Sequence, residues 1–265
     1  MNKFIRYAYD NFLKHKLCEL FGLSSNIKVS ATELLKEFLN RGIKHPHGWG
    51  ISWHLEGGLA GLVKEPVSAP ESKIARIFAE NIESELIIAH IRKMSKGSYL
   101  SYNNTHPFVK TFRKKDLIFA HNGDVPEIKS NKKYRLKNCK PLGETDSEHA
   151  FCFILERLQN IRGNNLGLLA RRVWKLAENI GNLGKFNFLL SDGNYLLAYM
   201  NRKGTLHYLF NPKMITPKGE DDGFVQNLRV VVIATEKLTD EDWVMMKPGI
   251  LYVFNKGSLI KIFEE

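Results

Sequence analysis

Cysteine is scarce in this sequence, with only Cys18, Cys139 and Cys152 among 265 residues. Three cysteines cannot all pair within one chain, and no two of them have the CxxC spacing. This pattern argues against a disulfide framework and against a thiolate zinc site. The cysteine content instead suits a protein of a reducing compartment.

Long apolar stretches are also missing. No run approaches the ~18–20 residues that are needed to span a bilayer. Residues 1–17 are too polar for the core of a signal peptide, because Arg6, Asp10 and Lys14 interrupt them. We therefore expect a soluble, cytoplasmic protein without a membrane partner.

Internal repeats, low-complexity tracts and Pro/Gly-rich linkers are absent, so nothing in the composition divides the chain. His45 and His47 form an HxH pair, but no third ligand stands nearby at metal spacing. A turn before a strand is the favoured interpretation of this pair. No Gly-rich phosphate loop is present either, so we predict neither a metal nor another cofactor.

The net charge is +11, and basic residues concentrate at 113–115 and 131–140. A basic balance raises the expectation of nucleic acid or of anionic substrates. Neither run interleaves aromatic residues at a stacking spacing, and neither lies in a nucleic-acid motif. A solvated basic surface is therefore favoured over a nucleic-acid partner.

Apolar periodicity predicts an α+β protein. Residues after Thr145 and over 166–180 repeat at three- and four-residue steps, which indicates two amphipathic helices. Two more helices are predicted at 30–41, where Ser30 and Glu33 match a capping box, and at 72–82. Strands outnumber helices, which favours packed sheets covered by two helical groups. The predicted strands are 18–24, 48–54, 59–64, 86–91, 117–121, 185–190, 195–200, 205–210, 229–234 and 250–254.

Cys18 is followed by a series of short motifs in a fixed order. A lone cysteine is usually a small buried hydrophobe, so this order is what gives Cys18 its interest. The series resembles the class II glutamine amidotransferases, which are N-terminal nucleophile hydrolases, and it is closest to their small stand-alone branch. The motifs are CELFG (18–22), HGWG (47–50), HIR (90–92), NTHPF (104–108), HNG (121–123), TDSE (145–148), FLLSDG (188–193) and ATEKLTD (234–240).

The resemblance implies a four-layer αββα sandwich and a definite chemistry. Cys18 would attack the side-chain amide of glutamine or of a γ-glutamyl compound, with its own α-amine, of pKa ~7.7–8, as the base. A thioester would form and then be hydrolysed. Asn122 and Gly123 would form the oxyanion hole through a side-chain amide and a backbone N–H. For Asn122-Gly123 alone, an ordinary turn is the competing interpretation.

The resemblance also assigns substrate anchors. Arg92 would hold the α-carboxylate with its two-pronged guanidinium, and Asp146 would receive the α-ammonium. Ser95 falls where many family members have a threonine near the substrate. The competing interpretations are a strand-end surface charge for Arg92 and a helix N-cap for Asp146. His90, His106 and His121 are expected to support the site.

The main departure from the family is the segment 1–17, since the family nucleophile normally follows the initiator methionine. Three interpretations stay open: a propeptide removed before Cys18, a retained segment that leaves the protein inactive or regulated, or a misassigned start. We favour the last, because leucine codons serve as alternative bacterial start codons and Leu17 precedes Cys18. The amidotransferase-like domain would then be 18–265.

The fate of the ammonia is also open. A separate synthase could accept it, or the protein could act alone as a glutaminase or as a γ-glutamyl hydrolase of thiol-compound metabolism. The alternative from another class is a catalytically inactive protein on the same fold that binds nucleic acid through its basic runs. That alternative predicts salt-dependent affinity and no labelling of Cys18 by a glutamine-like electrophile.

Overall fold

The computed structural model describes residues 18–94, 99–161, 163, 165–201, 204–215 and 227–265. Within these ranges the chain forms two antiparallel sheets and four α-helices. The helices are α1 (Thr32–Asn40), α2 (Lys73–Asn81), α3 (Asp146–Gln159) and α4 (Leu166–Gly181). None of the described helices is both long enough and apolar enough to cross a membrane.

The strands, numbered along the chain, divide between a seven-stranded and a six-stranded sheet. The first sheet contains β1 (Glu19–Ser30), β2 (Trp49–His54), β3 (Ala60–Glu65), β4 (Glu83–Ile91), β9 (His207–Phe210), β10 (Val230–Ala234) and β11 (Val244–Met245), in the order β11-β9-β10-β1-β4-β2-β3. The second contains β5 (Phe108–Phe112), β6 (Lys115–Asp124), β7 (Lys185–Ser191), β8 (Leu196–Tyr199), β12 (Leu251–Asn255) and β13 (Ser258–Phe263), in the order β13-β12-β8-β7-β6-β5.

Three separate apolar cores hold four layers together. One lies between α1, α2 and the seven-stranded sheet and includes Leu34 and Phe38. A second lies between the two sheets and includes Leu20 and Leu189. The third lies between the six-stranded sheet, α3 and α4. The predicted αββα sandwich is therefore confirmed.

Strand β1 shows how one segment serves two of these cores. Because successive side chains of a strand point to opposite faces, Phe21 and Leu23 face the helices while Leu20 faces the other sheet. Gly22 lies on the inner face with Leu20, and a Cβ there would stand 2.8 Å from Leu189 Cδ1. The glycine therefore lets the two sheets approach closely beside the start of β1.

The capping box predicted for the first helix is wrong. The helix begins at Thr32, Ala31 is its N-cap, and no side chain caps it. Ser30 belongs to the end of β1, and its hydroxyl contacts the hydroxyl of Thr32 at 2.7 Å. By contrast, Ser72 caps α2, because its Oγ accepts the N–H of Ala75 at 3.0 Å.

The disulfide bond between Cys139 and Cys152 corrects the expectation drawn from the cysteine content. Cys152 is a fully buried residue of α3, and the helix packs beside the preceding loop that carries Cys139. The two cysteines are 13 positions apart in the sequence, a spacing that carries no recognisable signature. Cys18 is left as the free thiol of the three.

The same loop is fixed by the carboxylate of Glu156. Its Oε1 accepts the backbone N–H groups of Lys137, Asn138 and Cys139 at 2.6–2.9 Å. Burial alone would raise the pKa of Glu156, but these three hydrogen bonds outweigh it and hold the pKa below its ordinary value.

Replacing Glu156 by glutamine keeps the shape of the side chain and removes the charge that attracts the three donors. We expect Glu156→Gln to lower the free energy of unfolding by about 1–2 kcal/mol near neutral pH. Because the folded-state pKa is depressed, the contribution is present above the unfolded-state pKa and is lost as the pH falls through the folded-state value. Urea unfolding at neutral and acid pH measures this; equal stability of the two proteins at neutral pH would contradict it.

Candidate active site

Four of the six predicted site residues line one cavity of about 300 Å³: Cys18, Arg92, Gly123 and Asp146. Cys18 immediately precedes β1, Arg92 immediately follows β4, Gly123 belongs to β6 and Asp146 begins α3, so the two sheets and one helix meet here. Asn122, the fifth, is fully buried next to Gly123. Ser95 lies outside the described residues, as do residues 1–17. None of the residues that line a wider cavity of about 600 Å³ near the C-terminus is a cysteine, serine or threonine.

Cys18 immediately precedes β1 and is half-buried. Glu19 pairs with Ile91, so the cysteine lies beside the end of β4. There the backbone N–H of Lys93 donates to Sγ at 3.2 Å. Burial raises the pKa of the Cys18 thiol to about 11, although the Lys93 N–H and the Arg92 charge act in the opposite direction. The thiol is therefore protonated near neutral pH and needs a base.

Arg92 is not the surface charge that was considered as an alternative. Only 4% of its surface is exposed, and its backbone N–H donates to Gly48 O at 2.7 Å. One guanidinium nitrogen donates to Tyr99 O at 3.4 Å. The guanidinium, a planar group of N–H donors, lines the cavity.

Asn122 and Gly123 lie inside β6 and do not form a turn. They pair with Asn187 and Phe186 of β7. A Cβ on Gly123 would stand 1.9 Å from the carbonyl oxygen of Lys185, which is far closer than any side chain permits. Glycine is required because the neighbouring backbone occupies that space.

Asp146 is the first residue of α3, and Thr145 is the N-cap, whose Oγ1 accepts the N–H of Glu148 at 3.1 Å. The N-cap interpretation of Asp146 is therefore wrong. Its Oδ1 accepts the N–H of Ser147 at 2.8 Å, and its Oδ2 accepts that of Val125. Backbone donors therefore fix the orientation of both carboxylate oxygens.

His121 is held in one tautomer by its neighbours. Its Nε2 donates to Lys185 O at 3.2 Å, so Nδ1 must accept the hydroxyl hydrogen of Ser147 at 2.8 Å. Burial lowers the pKa of His121 and lowers those of His90 and His106 still further. All three rings are therefore neutral near pH 7. The ring centroids of His90 and His106 lie 4.3 Å apart.

Comparison with known proteins shows the family to which the chain belongs. Residues 17–265 match the model of the class-II glutamine amidotransferases. The chain belongs to this family. It is 38% identical over 261 residues to the uncharacterized protein MJ1515 of Methanocaldococcus jannaschii, covering 92% of this chain and 71% of that one. It is 32% identical over 261 residues to "Putative glutamine amidotransferase YafJ" of Escherichia coli, covering 92% and 100%.

Solved structures of class II amidotransferases share the fold. A predicted glutamine amidotransferase from Pseudomonas aeruginosa superimposes with a TM-score of 0.66 at 26% identity, covering 92% of this chain and 100% of that one. The glutamine phosphoribosylpyrophosphate amidotransferase of B. subtilis gives a TM-score of 0.66 at 14% identity. This amidotransferase chain spans about half of that enzyme, 49%, so the second likeness concerns the fold alone.

Two residues of this amidotransferase, the buried Thr235 and the partly buried Lys185, were not singled out by the sequence. Thr235 accepts the N–H of Leu20 on its Oγ1 at 2.9 Å; it stands in the ATEKLTD motif, to which no role was given. Lys185 begins β7, and its Nζ is buried without a hydrogen-bond partner among the described residues. Burial lowers the pKa of Lys185 to about 8, against the opposing influence of Cys18. No motif marks Lys185, so only the fold could reveal it.

The basic run at 113–115 of the amidotransferase belongs to a hairpin. Arg113 and Lys114 adopt positive φ in the turn between β5 and β6. The Arg113 guanidinium donates to the backbone carbonyls of Leu158 and Ile161, where α3 ends. This arginine therefore binds its own chain.

Proposed function

We propose that the protein hydrolyses the side-chain amide of glutamine, or of a γ-glutamyl compound, through a thioester on Cys18. The observation that supports this most directly is the meeting of a free thiol, a buried guanidinium, a carboxylate and Gly123 around one cavity. Membership of the class II glutamine amidotransferases supplies the substrate class.

The state of the thiol explains why a free α-amine is needed. With its pKa raised to about 11, the Cys18 thiol is almost entirely protonated near pH 7. The three nearby histidines are neutral, and none donates to or accepts from Sγ among the described contacts. An α-amine on Cys18 itself, with an ordinary pKa of ~7.7–8, is placed by covalent geometry to take the proton. Residues 1–17 must be absent for that nitrogen to be basic.

Two oppositely charged side chains that line the cavity, Arg92 and Asp146, support a definite orientation of the substrate. Arg92 binds the α-carboxylate and Asp146 binds the α-ammonium, which directs the side-chain amide towards Sγ. The developing oxyanion receives hydrogen bonds from Gly123 N–H and from the Asn122 side chain. Ammonia leaves with the proton held by the α-amine, and water then hydrolyses the thioester.

Incubation of the purified protein with glutamine and with a panel of γ-glutamyl amides tests the proposal, with Cys18→Ala as the control. We expect ammonia release that depends on Cys18, and labelling of Cys18 by a glutamine-like diazoketone. Rapid turnover of glutamine alone indicates a self-sufficient hydrolase. Turnover only of a larger γ-glutamyl amide identifies the γ-glutamyl hydrolase. If a chain that begins at Cys18 shows no turnover of any of these substrates and no labelling of Cys18, the proposal is refuted.

Arg92→Lys tests the carboxylate anchor. A single ammonium cannot make two parallel hydrogen bonds to a carboxylate, so we expect KM for glutamine to rise about 10–100-fold while kcat changes less. Steady-state ammonia release measures both constants. The matched control is Arg76→Lys on the exposed face of α2, which should change neither. An unchanged KM in Arg92→Lys would remove Arg92 from the substrate site.

A further inference from the structure

Thr235 is bound twice to the strand that carries the nucleophile. It directly follows β10 and is 1% exposed, on the face of the sheet that meets the other sheet. Its backbone N–H donates to Leu20 O at 3.1 Å, and its Oγ1 accepts the Leu20 N–H at 2.9 Å. Leu20 lies two residues after Cys18, so these contacts fix the hydroxyl next to the start of β1.

The hydroxyl of Thr235 also contacts the amide of Asn122 across the gap between the sheets. One arm of that amide, Nδ2, lies 3.3 Å from Thr235 Oγ1. The other arm, Oδ1, is completely buried and has no hydrogen-bond partner among the described residues. In this orientation the side-chain atom of Asn122 that has no partner is the carbonyl oxygen Oδ1. An oxygen acceptor repels an oxyanion.

A count of hydrogens favours the opposite orientation. A hydroxyl has one hydrogen to donate and two lone pairs. If Oγ1 accepts from both Leu20 and Asn122, its own hydrogen has no acceptor among the described contacts, and Asn122 Oδ1 has no donor. The χ2 torsion of Asn122 is roughly two-fold, so the amide can rotate by 180° at little cost. This rotation brings Oδ1 next to the Thr235 hydroxyl. The hydroxyl then donates to Oδ1, and Nδ2 becomes the free arm.

We propose that Thr235 is a positioning residue, whose hydroxyl donates to Asn122 Oδ1 and thereby leaves the Nδ2 hydrogens free to bind the oxyanion formed at Cys18. The catalytic part of this assignment rests on the proposed amide hydrolysis. Leu20 helps to orient the hydroxyl of Thr235. Its N–H donates to one lone pair of Oγ1, and the hydroxyl hydrogen is left to donate to Asn122.

The orientation of the amide can be observed without any turnover. A neutron structure of the full-length, perdeuterated protein locates deuterium on Thr235 Oγ1 and on Asn122 Nδ2. We expect the Oγ1 deuterium to point at Asn122 and the two Nδ2 deuteriums to lie on the arm away from Thr235. Nδ2 deuterium directed at Oγ1 would overturn the proposal.

Kinetics test the consequence for catalysis. Thr235→Val keeps the shape and removes the hydroxyl, whereas Thr235→Ser keeps the hydroxyl. Loss of one oxyanion donor costs about 100–1,000-fold in kcat, and a misoriented donor is lost only in part. We therefore expect Thr235→Val to lower kcat about 10–100-fold with KM within about twofold, and Thr235→Ser to stay within about threefold of the parent.

A double variant separates positioning from general damage. If Thr235 acts through Asn122, adding Thr235→Val to Asn122→Ala should lower kcat by no more than about twofold further. Full additivity, an unchanged kcat in Thr235→Val, or equal damage in Thr235→Ser would each overturn the positioning role. Absence of turnover and of Cys18 labelling in the unsubstituted enzyme would refute the amide hydrolysis instead. The neutron map would still decide the orientation of Asn122.

Discussion

A chain that retains residues 1–17 should hydrolyse glutamine at least about 1,000-fold more slowly than a chain that begins at Cys18. The nitrogen of Cys18 in the longer chain is a peptide amide, which cannot accept a proton from the thiol. The thiol itself has a pKa of about 11, so it supplies almost no thiolate near neutral pH. Removal of the segment would create the proposed base at the residue that carries the proposed nucleophile.

The comparison needs two preparations with defined N-termini, verified by intact mass, and Cys18→Ala as the background for each. For the chain that begins at Cys18, kcat/KM should rise as the pH passes through the amine pKa of ~7.7–8, because only the neutral amine accepts the proton. Equal rates from a chain whose Leu17–Cys18 bond is intact would show that another group is the base. Lys185, with its lowered pKa, would then be the first residue to substitute.

Gly123→Ala should abolish most of the activity and destabilise the fold. The new Cβ would stand 1.9 Å from the carbonyl oxygen and 2.6 Å from the carbonyl carbon of Lys185, and both atoms belong to the paired strand β7. A backbone cannot move aside as a flexible side chain can, so β6 and β7 must separate locally. We expect a loss of about 2–4 kcal/mol of stability, as for severe overpacking. The displaced N–H should cost at least about 100-fold in kcat.

Gly167→Ala is the matched control. Gly167 lies in the first turn of α4, where a Cβ would meet only the side chains of Asn165 and Lys261, the nearer at 3.2 Å. Alanine favours helix over glycine by up to ~1 kcal/mol, so the change should not destabilise the protein. Urea unfolding and kcat are measured for both variants. If the two variants had the same free energy of unfolding and the same kcat, the claim that the close approach of β7 requires glycine at position 123 would be wrong.

Periodicity predicted most of the strands because one face of each is buried in a core. It missed β13, where four of the six residues are exposed and no apolar alternation distinguishes core from solvent. It also missed β5, where only Phe108 is buried, and β11, which has two residues, both exposed. The disulfide was not predicted for a different reason. Its two cysteines come together only when α3 packs against the preceding loop.

The sequence by itself determined the family, the layered α+β architecture and which side chains could take part in chemistry at Cys18. These follow from residue types and their order, which fix hydrophobic periodicity and motif spacing. Only the tertiary structure decided that Asn122-Gly123 lies inside a strand, that Asp146 is not a cap and that Thr235 contacts Asn122. Such facts depend on burial and on pairing between distant segments. The same burial raises the pKa of the Cys18 thiol, so the nucleophilic attack that we propose needs a base.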